Sequence, residues 1–404
     1  MTGTIFERTL ATAEIEAVFA DVQVVVAMLA FEAALAEAEA GEGLIPESAA
    51  AAIVAACRGV PFDIQAIVAE ARRAGALAIP LVLHLQARVA AATPEAAGFV
   101  HHGSTSQDVI DTAMALVTKE ALALIEVDLD RLVDALTALA HRHLETPMLG
   151  RTLLQPAEVV SFGHEVASWV APLVRMRERL RQSARAALQL QFGGAVGTLA
   201  GLGDKGPAVA RRLGERLGLA VPAGAWHTQR DSWVTLGCTV ATLCGCLGKI
   251  GRDLALLAQG EVGEVFEPRE VGRGSSSAMP HKRNPVAAMV AIAAATRAPH
   301  QAATLLAAMP QAHQRGLGDW QAELAVWPSL FMSAHGAVRA LADACAGLEV
   351  DAARMGANID AHFRAIGVDS ANAPAQIAAA AQRAGAATRA QLDALAAFER
   401  NLPP

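Results

Sequence analysis

One segment limits the fold more than any other. From Thr112 to Glu145 no glycine or proline interrupts the chain, and Leu122, Ile125, Leu129, Leu132, Leu136 and Leu139 recur at spacings of 3, 4, 3, 4 and 3. That rhythm predicts one long helix with a single packed seam. A helix of about 34 residues spans roughly 50 Å at 1.5 Å per residue. A helix of that length needs long neighbours. A second seam, Leu236, Val240, Leu243, Leu247, Ile250, Leu254 and Leu257, predicts one from about 229 to 266. Gly237, Gly245, Gly248 and Gly251 lie inside it and weaken the helix, so a closely approaching neighbour is expected.

Other runs complete a helical reading. Residues 12–40 read as one amphipathic helix closed by Gly41 and Gly43, and short pieces follow to about residue 98. After residues 150–158 a further run extends to Gln191, with a kink expected at Pro172, and others cover about 286–314 and 320–347. Residues 192–228 are glycine-rich and read as a connector with one short helix. No strand-like alternation of useful length is evident. The expectation is an all-α protein in three parts: a helical domain over 1–103, a long-helix bundle over 104–347 and a short helical piece over 348–404.

Composition narrows the function classes. Hydrophobic residues make up 53% of the chain and charged residues 18%, with mean hydropathy +0.33. Such a chain either enters a membrane or buries much of its surface against other subunits. No uninterrupted apolar run of about 18 residues is found, and "MTGTIFERTL" lacks a basic leader and cleavage site, so the expected setting is a cytoplasmic oligomer. Net charge is −7 with no basic block, which leaves nucleic-acid binding without a footprint. Cys57, Cys238, Cys244, Cys246 and Cys345 show no zinc spacing and read as reduced core residues.

Three polar stretches interrupt the helices: "HHGSTSQD" (101–108), "GRTLLQPAE" (150–158) and "GRGSSSAMPHKRNP" (272–285). Thr105, Ser106 and Gln107 can present side-chain and helix-start donors to a carboxylate. Thr152 and Gln155 offer similar groups, while Lys282 and Asn284 add a point charge and an amide. Each stretch also has a plain structural reading. Thr105, Ser106 and Asp108 could cap a helix, Thr152 and Gln155 could serve a turn, and the serine-rich segment could be a connector.

In this order the three stretches resemble the shared regions of the fumarase/aspartase superfamily. "GSSSAMPHKRNP" resembles its loop G-S-S-x-M-P-x-K-x-N-P, and the likeness covers about residues 1–350. "WHTQRDSW" (226–233) and "HQRGLGDWQAE" (313–323) are most similar to the bacterial 3-carboxy-cis,cis-muconate cycloisomerase family. The resemblance implies the three-domain fold with a tetrameric multi-helix core, and interconversion of that diene with a carboxymuconolactone. No metal-ligand spacing and no phosphate loop is present in the sequence, so no metal and no cofactor is expected. The expected partners are a small polycarboxylate and three further copies of the chain, at subunit-shared sites, with no nucleic acid and no membrane. Counting back from Met279–Pro280 places the proton-transferring serine at Ser276 and its neighbour at Ser277. The motif's glycine then falls on Ser275, with Gly274 one earlier. His101, Arg230, Lys282 and Arg315 are the candidate cations for a tricarboxylate. His101 could instead orient Thr105 or bind water, and Arg230 could be tied to Asp231 or Asp253.

A second departure bears on chemistry. Superfamily members that expel hydroxide or an amine usually show histidine where this chain has Leu153. Those leaving groups need a general acid, whereas a carboxylate of pKa about 4 does not. The pattern therefore favours lactone formation and opening over fumarase-like or adenylosuccinate-type elimination. A lyase with a good leaving group, such as nitrosuccinate lyase, remains compatible.

Overall fold

In the computed structural model, which describes residues 4–275, 279, 282–368 and 372–401, all six residues of the first seam are buried. They line a helix longer than the sequence rhythm required. The chain begins with α1 (Ile5–Arg8), α2 (Ala13–Val18), α3 (Asp21–Gly41), α4 (Glu47–Cys57), α5 (Ile64–Ala74) and α6 (Ala78–Ala92). The seam helix is α7 (Ser106–Arg142), about 55 Å at 1.5 Å per residue. The strands β1 (Pro147–Thr152) and β2 (Gln155–Ser161) follow, then α8 (Phe162–Ala187), α9 (Gly206–Leu217), α10 (Asp231–Ala258) and β3 (Val265–Phe266). The remainder is α11 (Val286–Ala308), α12 (Asp319–Ala346), β4 (Glu349–Val350), α13 (Ala352–Ala365) and α14 (Ala373–Arg400).

Five long helices make the centre. Each packs on the next in the order α7, α8, α10, α11, α12, and α12 closes the ring on α7. Glycines in α10 permit the tight packing. A Cβ at Gly248 would overlap Ala295 of α11, and one at Gly237 would overlap Leu305. Gly245 differs: nothing lies within 4 Å of its missing Cβ, so close approach within this chain does not explain it. By length and composition α10 could cross a membrane, yet its seam residues are buried within the bundle.

Aromatic packing reinforces the ring. Trp233 of α10 and Trp327 of α12 stack with ring centroids 4.0 Å apart. Trp226 leans on Trp233 at 5.7 Å, and Phe331 lies 5.0 Å from Trp327. Outside the ring, α3 lies against α7, α4 and α9, while α14 lies against α8 and the strand pair.

Four sequence expectations need correction. The predicted helix over 12–40 is broken at Phe19–Ala20. Phe19 is buried against Phe331, and Ala20 takes an extended conformation before α3 starts. Secondly, α3 is not a simple two-faced helix, because residues around much of its circumference are buried. Thirdly, the expectation that no useful strand occurs fails at 147–161, an antiparallel hairpin. Thr152 pairs with Gln155, leaving Leu153 and Leu154 as a two-residue turn at φ 50° and 64°. Such turns usually take Asn-Gly, because side-chain-bearing residues are strained there by about 1 kcal/mol or more each. Two leucines at the tip hide the hairpin from a sequence reading. The helix predicted to reach 266 stops at Ala258, where Gln259 turns extended and Gly263 takes φ 62°.

Candidate active site

Asp108 organises the start of α7. Its buried carboxylate accepts from His227 Nε2 at 2.7 Å, Gly193 N at 3.0 Å and Gly194 N at 2.9 Å. It also accepts from Thr105 N at 3.2 Å, so the N-cap residue is fixed relative to the 193–194 turn. Burial lifts the Asp108 carboxyl above the ordinary aspartate range, against the opposing pull of His227 and the two glycine amides. From the other side Arg315 donates to Thr105 Oγ1 and to Gly194 O at 3.3 Å. Thr105, Ser106, His101 and Arg315 are therefore at one end of the bundle, each partly exposed.

Two predicted ligands do not belong to that exposed set. Gln107 is buried and spends its amide on His227 O at 2.9 Å and Asp111 Oδ2 at 3.1 Å. Arg230 is 1% exposed. Its guanidinium meets Asp111 Oδ2 at 2.8 Å and Glu323, with Nε 3.1 Å from Glu323 Oε2. Trp320 Nε1 donates to Asp111 at 2.9 Å, and Trp226 stacks beneath the guanidinium at 4.5 Å. Arg230 is thus structural, with neither of the acids the sequence suggested as a partner. Asp253 is taken by Trp169 at 2.7 Å and by Lys249. The residues that brace the N-terminal end of α7, Asp108, His227 and the 193–194 backbone, are not among the sequence candidates. The adjacent motif "WHTQRDSW" was the one signal that pointed toward His227.

At the opposite end of the bundle lie the hairpin and the serine loop. α10 carries the chain about 42 Å from Arg230, and α11 returns about 35 Å toward Arg315. Thr152 and Gln155 are exposed at the hairpin tip, beside Leu153 at 96% and Leu154 at 71% exposure. Arg151 anchors the hairpin through a bidentate pair with buried Glu264 at 3.0 and 2.8 Å, and Asn358 of α13 donates to the same carboxylate at 2.7 Å.

The serine loop is pinched at its neck. Asn284 N donates to Gly274 O at 3.0 Å, and Ser275 bridges Arg283. Gly274 takes φ 62°, and a Cβ there would overlap the carbonyl oxygen of Asn284. That accounts for glycine at 274 rather than 275. Glu267 caps the following helix, accepting from Ala287 N and Ala288 N at 3.0 Å each. Its backbone oxygen accepts from Arg283 at 2.6 Å. Ser275, Lys282 and Asn284 line a cavity of about 410 Å³ together with Arg269 and Arg273. Ser276 and Ser277 fall outside the described residues. Among the described residues no cluster of His, Cys, Asp or Glu is arranged to hold a metal ion.

Within one chain, then, two polar stretches share one end of the bundle and the third occupies the other. Residues 7–299 match the family described as lyase. The chain belongs to that lyase family. It is 51% identical over 334 residues to a 3-carboxy-cis,cis-muconate cycloisomerase of Bradyrhizobium diazoefficiens, covering 83% of this chain and 74% of that one. It is 44% identical over 354 residues to a nitrosuccinate lyase of Streptomyces davaonensis, covering 86% and 74%. A solved 3-carboxy-cis,cis-muconate lactonizing enzyme from Pseudomonas putida superimposes with TM-score 0.85 at 44% identity, covering 96% of this chain and 90% of that one. The all-α fold of this lyase-family member is the one that solved structure has.

Proposed function

We propose that this lyase-family chain is a 3-carboxy-cis,cis-muconate cycloisomerase that needs no cofactor. In the lactonising direction a substrate carboxylate oxygen adds to the diene, and Ser276 delivers a proton to the carbon beside another carboxylate. In the reverse direction that proton is removed, the carbon–oxygen bond breaks and the carboxylate leaves. The intermediate carries extra charge on the carboxylate next to the reacting carbon. Donors aimed at that charge lower the barrier. Lys282 and Asn284 at the loop neck suit this role. Thr105, Ser106, His101 and Arg315 suit the binding of the remaining carboxylates. Thr152 and Gln155 contribute from the hairpin.

The observation that carries this reading is Leu153. It occupies the fully exposed tip between Thr152 and Gln155, and it can protonate nothing. A departing carboxylate needs no acid there. The two ends of one bundle cannot enclose a single small molecule, so a site that uses both draws on more than one copy of the chain, and the family resemblance makes that assembly a homotetramer with shared sites.

The test is direct. The protein is mixed with 3-carboxy-cis,cis-muconate and the diene absorbance is followed, with nitrosuccinate in a parallel reaction scored by fumarate and nitrite. Rapid loss of diene absorbance with no fumarate supports the cycloisomerase. The 44% likeness to nitrosuccinate lyase motivates the second arm, and turnover there alone reverses the reading.

A further inference from the structure

Two consecutive histidines stand over two buried glutamates just before the α7 start. Glu32 and Glu39 are seven residues apart on α3, 1% and 0% exposed. His101 Nδ1 lies 2.6 Å from Glu32 Oε1, and His102 Nδ1 lies 3.0 Å from Glu39 Oε1. The second oxygen of each carboxyl is buried with no hydrogen-bond partner among the described residues. A core helix gains nothing from two such groups unless they hold something in place, because each buried, half-satisfied carboxyl is costly. The turn above them is bent to fit. His101 takes φ 62° and Gly103 φ 65°, and two residues later Thr105 caps α7.

The two pairs differ in charge. Burial, with the charge of Glu32 adding to it, pushes Glu39 up to about 8, so the neutral carboxyl is favoured at neutral pH. For His101 burial pulls the other way, but the charge and hydrogen bond of Glu32 and the charge of Asp108 together lift it above the ordinary histidine value. The groups around His101 are Glu32 and Glu39 from α3, His102 from its own turn and Asp108 from α7. His227 pairs with Asp108 behind, and Arg315 lies beyond Thr105. On α4 Cys57 is near Glu32, but burial pushes its thiol up to about 12, so it stays neutral.

We propose that Glu32 is a positioning residue for substrate binding: it grips His101 through Nδ1, keeps the ring cationic, and so leaves Nε2–H to donate to a substrate carboxylate beside Thr105. This rests on the polycarboxylate reading above. Glu39 is the neutral neighbour that keeps a second negative charge from competing for the ring.

The test uses Glu32→Gln, His101→Gln and the double variant, with kcat and KM for 3-carboxy-cis,cis-muconate measured from about pH 6 to about pH 9. Glu32→Gln is expected to raise KM about ten-fold near pH 7 while kcat changes less than about three-fold. The alkaline rise in KM should move to lower pH, and the double variant should be no worse than His101→Gln alone. Unchanged KM and pH profile in Glu32→Gln, or additive losses in the double variant, overturn the proposal. A second readout needs neither folding of the variant nor the assigned substrate. The His101 ring is followed by NMR titration of the wild-type protein, and a midpoint below the ordinary value of about 6.5 also overturns it. If the wild type ignores carboxymuconate yet His101 titrates high, the substrate reading fails. The charged pair then stands, and its anion role is decided by whether citrate binding, measured by calorimetry, is weakened about ten-fold in His101→Gln.

Discussion

The start of α7 and the tip of the hairpin lie at opposite ends of one bundle and use polar residues in opposite ways. At the α7 start the carboxylates of Asp108 and Asp111 are buried and fully engaged, and Arg230 is closed between Asp111 and Glu323. What is left partly exposed there is held in place from behind. At the hairpin tip Thr152, Leu153, Leu154 and Gln155 are all exposed, and only Arg151 is tied inward. One end pairs most of its charged groups within the chain, while the other leaves its polar groups exposed.

The largest expected effect separates loop chemistry from packing. Ser276→Ala should lower turnover about 10³-fold, with circular dichroism and oligomer size unchanged, since proton transfer by one side chain commonly contributes 10² to 10⁴-fold. If Ser275→Ala is the inactive variant instead, the loop register is wrong by one. The same lesion tests the two-ended site. Ser106→Ala and Ser276→Ala, unfolded and refolded together in equal amounts, should regain up to about a quarter of wild-type activity if each site draws these residues from different copies. Mixed tetramers without any recovery would end that view.

The next effect contrasts two arginines on the α7 side. Arg230→Ala leaves Asp111 and Glu323 buried without their cation and should cost about 3–5 kcal/mol in denaturant unfolding. Arg315→Ala should cost less than about 1 kcal/mol but raise KM, because its side chain is only partly buried. Equal stability losses in the two variants would erase the distinction between structural and binding cations.

A smaller effect concerns pH. Glu39 is raised to about 8 in the folded protein from 4.5 for the free group. The folded state therefore holds a proton that the unfolded state releases between those values. Stability from this group is complete below about pH 4.5 and declines as pH rises toward about 8, by at most about 1.4 kcal/mol per pH unit. Glu39→Gln should flatten that decline, most visibly in melting temperatures compared at pH 6 and pH 8 (roughly, a comparison inside the window). A parallel decline in variant and wild type would show that Glu39 is ionised in the folded protein. The smallest effect is expected at the open end. Leu153→His should leave kcat unchanged, since no leaving group there needs a proton. A clear rise in kcat at constant KM would show that an acid was limiting.

Sequence legibility follows the same division. The helices were readable because their seams repeat locally, and every residue named in the α7 and α10 seams is buried. The candidates Thr105, Ser106, Thr152, Gln155 and Lys282, all at least partly exposed, were picked out by short motifs, whose residues are close in the chain. Arg230 was misread for the opposite reason. Its partners Asp111 and Glu323 are 119 and 93 residues away, and nothing local distinguishes a paired arginine from a free one. Gln107 went astray in the same way, because the turn of α7 that exposes Ser106 points its neighbour inward. The hairpin was hidden by its tip, where leucines occupy positions that a turn normally reserves for asparagine and glycine.

The tryptophans stacked across the central ring carry a practical consequence. The chain has five tryptophans and no tyrosine. Four of them, Trp226, Trp233, Trp320 and Trp327, surround the Arg230 ion pairs through stacking or through the Asp111 bond. Near-ultraviolet dichroism and intrinsic fluorescence of this protein are therefore dominated by one place. Excitation at the red edge of the indole band watches the joint between α7, α10 and α12 with no phenolic background, and the close pair Trp233–Trp327 should give a coupled signal that vanishes when that joint opens. The molecule carries its own optical gauge of whether the α7-start end of the bundle is assembled, without any label attached.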